Sequence, residues 1–204
     1  MTDLFRDKAS DWDAQPVPTQ ISRGVFEALS RRVALTPALT VLDFGAGTGL
    51  LLSKLAPHVG RVLAVDISAA MLDQLAQKLS EAPELASKVR IFCQDITRAP
   101  LEARADLVVS AMAMHHVEDT AGLFATLHAH LVAGGRVALA DLDAEDGSFH
   151  PPGTEGVFHR GFERERLVRQ LGEAGFVEVE IDTACVVHRE GREYPVFLVT
   201  ATKR

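Results

Sequence analysis

The sequence predicts an α/β protein: a doubly wound, mostly parallel sheet with helices on both faces, finished by an antiparallel hairpin. Three observations predict it. Short apolar runs alternate along the chain with stretches whose apolar residues recur at helical spacing. A glycine-rich turn at residues 45–49 joins the first such run to a helical pattern. Residues 176–200 break the alternation and read as strand, Gly-containing turn and strand.

Composition sets the bounds. At 204 residues the chain reads as one domain with room for a large core. A hydrophobic share of 47% with 24% charged residues is that of an ordinary globular protein. The formal charge of −7, with scattered Lys and Arg, argues against a nucleic-acid partner. No apolar run approaches the ~18 residues of a membrane span, and the opening residues lack an apolar signal core, so no membrane partner and a cytoplasmic location are expected. Cys93 and Cys185 lie in strand-like runs and read as buried free thiols.

Residues 1–20 are polar, with Phe5, Trp12 and two prolines at 16 and 18. They read either as a loose arm or as a flap over a ligand cleft with Trp12 as its anchor. Ile21, Val25, Phe26, Leu29 and Val33 mark a helix over 19–35, ended by Thr36-Pro37. Thr40, Val41 and Leu42 make a short buried strand that Asp43 closes. Gly45, Gly47 and Gly49 alternate with Ala46 and Thr48, and Leu50 to Ala56 follow as a short helix. Glycines let the backbone approach a ligand closely, and a helix N-terminus offers free N–H groups to an anion. The spacing is neither G-x-G-x-x-G nor that of a phosphate-binding P-loop. Asp43 would repel a pyrophosphate and suits an amine. A ligand carrying both a carboxylate and an ammonium uses both ends of this turn.

The second strand, residues 61–65, is closed by Asp66, at the distance beyond a glycine turn where an acid accepts hydrogen bonds from ribose hydroxyls. The competing role is to start the next helix, for which Ser68 is the better N-cap. Met71, Leu72, Leu75 and Leu79 set that helix, and Met71 reads first as core. Residues 89–93 are the third strand, with Gln94-Asp95-Ile96 after it. Residues 105–110 are the fourth, with Asp106 at its start, away from the ligand end. Met114-His115-His116-Val117 then precedes a helix over 120–131. Histidine titrates near neutrality and serves as a base, but two adjacent histidines do not make a metal site. A Gly-Gly turn enters the fifth strand, and residues 141–147 form an acidic loop. Residues 143–162 are a long irregular insert, whose length suggests a role in shaping a pocket. Residues 163–174 form an amphipathic helix stopped by Gly175.

Asp43 and the glycines after it resemble the first motif of class I S-adenosylmethionine-dependent methyltransferases. Residues 40–140 carry the resemblance, through the acids at successive strand ends, the Met114-His115-His116-Val117 stretch and the Gly-Gly passage into strand five. It extends more weakly to the hairpin. Phe5, Ala9 and Trp12-Asp13 are similar to the segment that lies over the cofactor in small-molecule members such as the ubiquinone-biosynthesis group. The resemblance implies a Rossmann-like methyltransferase fold with seven strands, the last one antiparallel. It implies S-adenosylmethionine as cofactor and S-adenosylhomocysteine as product.

The cofactor-binding candidates are Asp43, Gly45, Ala46, Gly47, Thr48 and Gly49 for the methionine half, and Asp66 for the ribose. Ile67 is expected on the adenine face and Asp95 on the adenine amino group, with Ile96 as a backbone donor. Met71 and Ala111 complete that set. His115 and His116 are the catalytic candidates. Trp12, His116, Phe158, His159 and Phe162 are the substrate-side candidates, and no metal is expected. No Pro- or aromatic-containing tetrapeptide follows the fourth strand, which leaves a small molecule as the default acceptor. A monomer or homodimer is expected. An NAD-dependent oxidoreductase of similar architecture, and a non-catalytic cofactor-binding regulator, are the competing functions.

Overall fold

The computed structural model describes residues 3–204. Seven strands form one sheet in the order β3-β2-β1-β4-β5-β7-β6. They are β1 (Thr40–Phe44), β2 (Arg61–Asp66), β3 (Val89–Cys93), β4 (Ala105–Ala111), β5 (Leu131–Leu142), β6 (Phe176–Arg189) and β7 (Arg192–Lys203). The first five are parallel, and β7 runs antiparallel between β5 and β6. The helices are α1 (Pro16–Arg32), α2 (Leu52–Leu55), α3 (Ala69–Ser80), α4 (Pro83–Ala86), α5 (Thr120–Ala129) and α6 (Arg164–Glu173).

Strand side chains alternate between two faces, so the sheet feeds two cores. Val41, Val62, Ala64, Leu107 and Val109 face Ile21, Val25 and Leu29 of α1 and Leu72 and Leu75 of α3. Leu42, Leu63, Val65, Val108 and Phe197 face Leu123, Phe124 and Leu127 of α5 and Leu167 and Leu171 of α6. Each such side chain is fully or nearly buried and contributes about 1.5–3 kcal/mol by leaving water. Among the described residues, no helix is long and apolar enough to cross a membrane.

Several boundaries differ from the sequence reading. Pro16 opens α1 instead of lying in a loose arm. At the first helical position its missing N–H has no intrahelical acceptor to lose. The same helix ends at Arg32, and Val33 is already extended. Residues 6–14 are a 3-10 helix, not an unstructured segment. The first strand of the hairpin, β6, runs unbroken from Phe176 to Arg189, with register shifts after Val177 and after Thr183. Its turn into β7 uses Glu190 and Gly191, both at positive φ, as a two-residue hairpin turn requires. Cys93 is exposed rather than buried, because β3 is an edge strand; both cysteines are free thiols.

The chain winds outward from β1 to β3, then crosses back to start β4 on the other side of β1. Adjacent strands β1 and β4 therefore send their following loops apart and open a crevice at their carboxyl ends. The opposite ends of the same two strands are pinned. The backbone N–H of Thr40 donates to Oδ2 of Asp106 at 2.8 Å. Asp106→Ala removes that acceptor and leaves a half-buried N–H unpaired. The expected loss is about 1–3 kcal/mol in urea unfolding, with the far end of the sheet unaltered.

Candidate active site

Asp43 occupies the carboxyl end of β1, paired in register with Ala64 of β2 and Val109 of β4. It is 2% exposed, and among the described residues its Oδ2 has no hydrogen-bond partner. Burial raises its pKa to about 7, and the nearby negative charge of Asp66 adds to the shift. An unpaired buried carboxylate is costly, and here the cost is concentrated at the crevice.

The glycine turn begins next. Its first two N–H groups, on Gly45 and Ala46, both donate to the Val65 carbonyl, at 2.9 and 3.0 Å. This ties the turn to β2. Gly45 has φ +71°, and a Cβ there would lie 2.3 Å from Cβ of Ala113. The loop after β4 therefore presses directly on the glycine turn. Gly47 has φ +55°, and its missing side chain faces open space. Only conformation demands glycine at that position. The helix that follows, α2, is a single turn of four residues continued by a 3-10 turn at Ala56–His58. A helix this short adds little dipole, and the N–H groups of Gly45, Ala46, Gly47 and Gly49 already donate within the protein.

Asp66 ends β2 beside this turn. Oδ2 accepts from the Gly47 N–H at 2.7 Å and Oδ1 from the Ser68 N–H at 2.9 Å. Burial pushes its pKa up against those two hydrogen bonds. Asp66 thus takes part in starting α3, while the Ser68 hydroxyl caps the helix by accepting from Met71 N–H. The two roles weighed for Asp66 are not exclusive, since a carboxylate has about four acceptor positions. Ile67 beside it is 59% exposed. Met71 is buried, as are Ala46, Thr48 and Ile96, and Ala111 packs partly buried against the core.

Asp95 is placed less favourably than Asp43 and Asp66. Its Oδ1 accepts from both the backbone N–H and the hydroxyl of Thr97, at 3.0 and 2.6 Å, and Arg98 Nε lies 3.3 Å from Oδ2. It closes a local turn at the surface.

His115 and His116 lie in a 3-10 turn, Met114–His116, just beyond β4. His115 is buried, and its Nδ1 is 2.7 Å from Oδ1 of Asp141. Asp141 had been assigned to an acidic loop, yet it belongs to β5 and is fully buried. Its carboxylate also accepts from the backbone N–H groups of His115 and Leu142, which is why the strand can carry it inward. His116 donates from Nδ1 to the Gly156 carbonyl at 2.6 Å.

The insert straps this turn. The N–H groups of Phe158 and His159 both reach the His115 carbonyl, at 2.9 and 3.3 Å. It also brings the His150 ring to 5.1 Å from that of His115. Of the substrate-side candidates from the insert, Phe158 is exposed. His159 Nε2 is hydrogen-bonded to the Val117 carbonyl at 2.9 Å. Phe162 turns inward, packing edge-on against Phe197 in the second core. His159 and Phe162 border a recess of about 110 Å³ shared with Thr120, Arg166 and Gln170, which contains none of the strand-end acids.

The N-terminal segment lies across the same region. Asp3 accepts from the Ser68 hydroxyl and the Ala70 N–H, at 3.0 and 3.2 Å. The Phe5 ring stands edge-on to His116 at 5.2 Å. Asp13 accepts from the Thr48 hydroxyl at 2.5 Å and pairs with Lys78 of α3. Trp12 is half-buried and reaches the site only through Phe5, 6.1 Å away. Asp3, Phe5 and Asp13 are the anchors in its place. Sequence reasoning missed Asp141, His150, Asp3 and Asp13 as members of the site. The signal that singled out Asp43 and Asp66, an acid at a strand end, was present for Asp141. Asp13 lies in the stretch that resembles a cofactor-covering segment, and no signal marked Asp3 or His150.

Comparison with known proteins gives this arrangement a family. Residues 41–135 match the family model described as a methyltransferase domain. A methyltransferase of Geobacillus thermodenitrificans is 31% identical over 168 residues, covering 78% of this chain and 75% of that protein. A methyltransferase of Mycobacterium bovis is 39% identical over 100 residues, 48% of each chain. The chain spans about half the length of the first curated relatives it matches. The fold is shared with the magnesium protoporphyrin IX methyltransferase of Synechocystis, whose structure was solved with S-adenosylhomocysteine. The TM-score is 0.74 at 20% identity, covering 99% of this chain and 97% of that one. With the sheet order, the glycine turn and these relatives in agreement, the chain belongs to the class I S-adenosylmethionine-dependent methyltransferases.

Proposed function

We propose that this protein transfers the methyl group of S-adenosylmethionine to a small-molecule acceptor. One observation carries the reading: the unpartnered buried carboxylate of Asp43, facing a glycine turn where β1 and β4 diverge. An ammonium group satisfies that oxygen, and the cofactor's amino-acid end supplies one. The free space over Gly47 suits the approach of the same moiety. Asp66 keeps acceptor capacity for two ribose hydroxyls beyond its bonds to Gly47 and Ser68. Ile67 offers exposed apolar surface to the adenine, with Ile96 and Met71 behind it and Asp95 at its edge. Ala46, Thr48, Gly49 and Ala111 shape the walls.

When bound, the cofactor supplies a methyl group already activated by its positive sulfur. The protein's part is to align the acceptor for in-line attack and keep water out, worth up to about 7–11 kcal/mol when the geometry is right. Residues 1–20, of which the structure describes 3–20, serve as a flap within the single domain 1–204, and residues 143–162 serve as the acceptor-side wall through Phe158, beside His116, which meets this segment at Gly156. The small-molecule reading is supported by the Synechocystis enzyme, which is named for a small-molecule acceptor. The charge of −7 supports an acceptor other than nucleic acid, and the proposed location is the cytoplasm. Asp43 favours this function over NAD chemistry, because a carboxylate there repels a pyrophosphate.

Titration calorimetry with S-adenosylhomocysteine tests the site. Asp66→Ala removes a charged acceptor from two hydroxyls and is expected to weaken binding about 10- to 100-fold; unchanged affinity refutes the ribose role. Asp43 gives a second expectation. Its raised pKa means that, below about pH 7, binding an ammonium must first remove a proton. Affinity is therefore expected to rise about tenfold per pH unit up to that point and then level off. Asp43→Asn should bind weakly with no such slope. By the same sign, the ionised carboxylate destabilises the free protein as pH rises toward 7, so Asp43→Asn should melt at higher temperature at pH 8.

A further inference from the structure

Asp141 and His115 form a buried pair that cofactor binding leaves unused. Asp141 sits at the end of β5 and His115 in the turn after β4, on the side of the crevice away from Asp66. Oδ1 of Asp141 accepts from the ring Nδ1 at 2.7 Å, and Oδ2 from the backbone N–H of the same residue at 3.1 Å. The carboxylate thereby holds the ring's angle and fixes the proton on Nδ1. Nε2 is left with a lone pair. Among the described residues that buried nitrogen has no hydrogen-bond partner, and neither has Nε2 of His150 on the adjoining ring.

The turn bearing His115 follows Ala113, which presses on the glycine loop. Every charged or titratable group facing the pair can be named. Asp141 comes from β5, His116 from the same turn and His150 from the insert; Glu145 and Lys8 act on His150. Burial pulls the His115 pKa down, and Asp141 more than reverses it, for a net rise. His116 and His150 are held at about 4, chiefly by burial and then by His115. Two neutral rings thus flank one basic ring.

Resting on the methyl-transfer reading, we infer that His115 is the general base, that Asp141 is its positioning residue, and that the methyl acceptor is an uncharged hydroxyl compound. As the hydroxyl oxygen bonds to the methyl carbon, its proton passes to Nε2 of His115. The carbon–sulfur bond breaks with its electron pair going to sulfur. The resulting imidazolium stands against the Asp141 carboxylate. An aliphatic amine arrives as a charged ammonium, a thiol ionises not far above neutrality, and a carboxylic acid arrives ionised. A hydroxyl is the nucleophile that gains most from losing its proton during the attack. The neutral rings of His116 and His150 suit an acceptor without charge.

Two measurements test this. In the full-length protein labelled with ¹⁵N-histidine, His115 is expected as the Nδ1–H tautomer with its midpoint above the ordinary 6.5. In Asp141→Asn the midpoint should fall by about one unit or more, whereas Asp141→Glu should keep it raised. An Nε2–H tautomer in the unaltered protein overturns the assignment without any variant having to fold. An unmoved midpoint in Asp141→Asn also overturns it. The second measurement supplies ¹³C-methyl-labelled S-adenosylmethionine with a metabolite extract. A methyl ether product is expected, with an acid limb in the kcat profile that moves to lower pH in Asp141→Asn. An N-methyl, S-methyl or methyl ester product overturns the inference but leaves methyl transfer standing. Absence of label transfer together with absence of S-adenosylhomocysteine binding overturns both.

Discussion

A carboxylate sealed between strands with an oxygen left unpaired is the constraint around which this molecule is arranged. Asp43 can be buried there only because the sheet changes winding direction between β1 and β4 and the turn beyond it is stripped of side chains. With any other strand order the same residue would face a covered core, where an unpaired charge is not tolerated. In the proposed function a cationic ligand removes the energetic debt of that oxygen on binding. Affinity and local instability of the free protein are thus two sides of one arrangement.

The crevice divides into two chemically distinct halves. On the β2 side, acids meet backbone N–H groups: Asp66 takes the Gly47 and Ser68 N–H groups, and Asp3 joins at the start of α3. On the β5 side, a carboxylate meets imidazole rings, with Asp141 holding His115 while His116 and His150 gather around it. In the proposed function the first half reads hydroxyl and ammonium groups and the second manages a proton. Ala113, pressed against Gly45, keeps the two halves in contact, so a shift in either is felt by the other.

Two pieces far apart in sequence close over this crevice. The N-terminal segment reaches α3 through Asp3, the glycine turn through Asp13 and the histidine turn through Phe5. The insert reaches the histidine turn through backbone bonds from Phe158 and His159. Neither contributes a large apolar core of its own, and both are held by a few polar contacts. Such segments open at lower free energy than the sheet beneath them, as entry of a ligand to a covered site requires.

The sequence by itself determined the alternation of strands and helices, the glycine turn, and the acids at the ends of β1 and β2. These are local matters of periodicity and of residues that tolerate unusual backbone angles, and they are written in neighbouring positions. It also pointed to His115 and His116, though it could not rank them. Only the tertiary structure decided that His115 meets a carboxylate 26 residues away while His116 is spent on a backbone carbonyl. It decided that Asp95 closes a turn, that Phe162 belongs to the core, and that Asp13 rather than Trp12 fastens the N-terminal segment to the glycine turn. Which partner a polar side chain finds depends on strand order and on how loops fold back, and these are properties of the whole packed chain that no short stretch encodes.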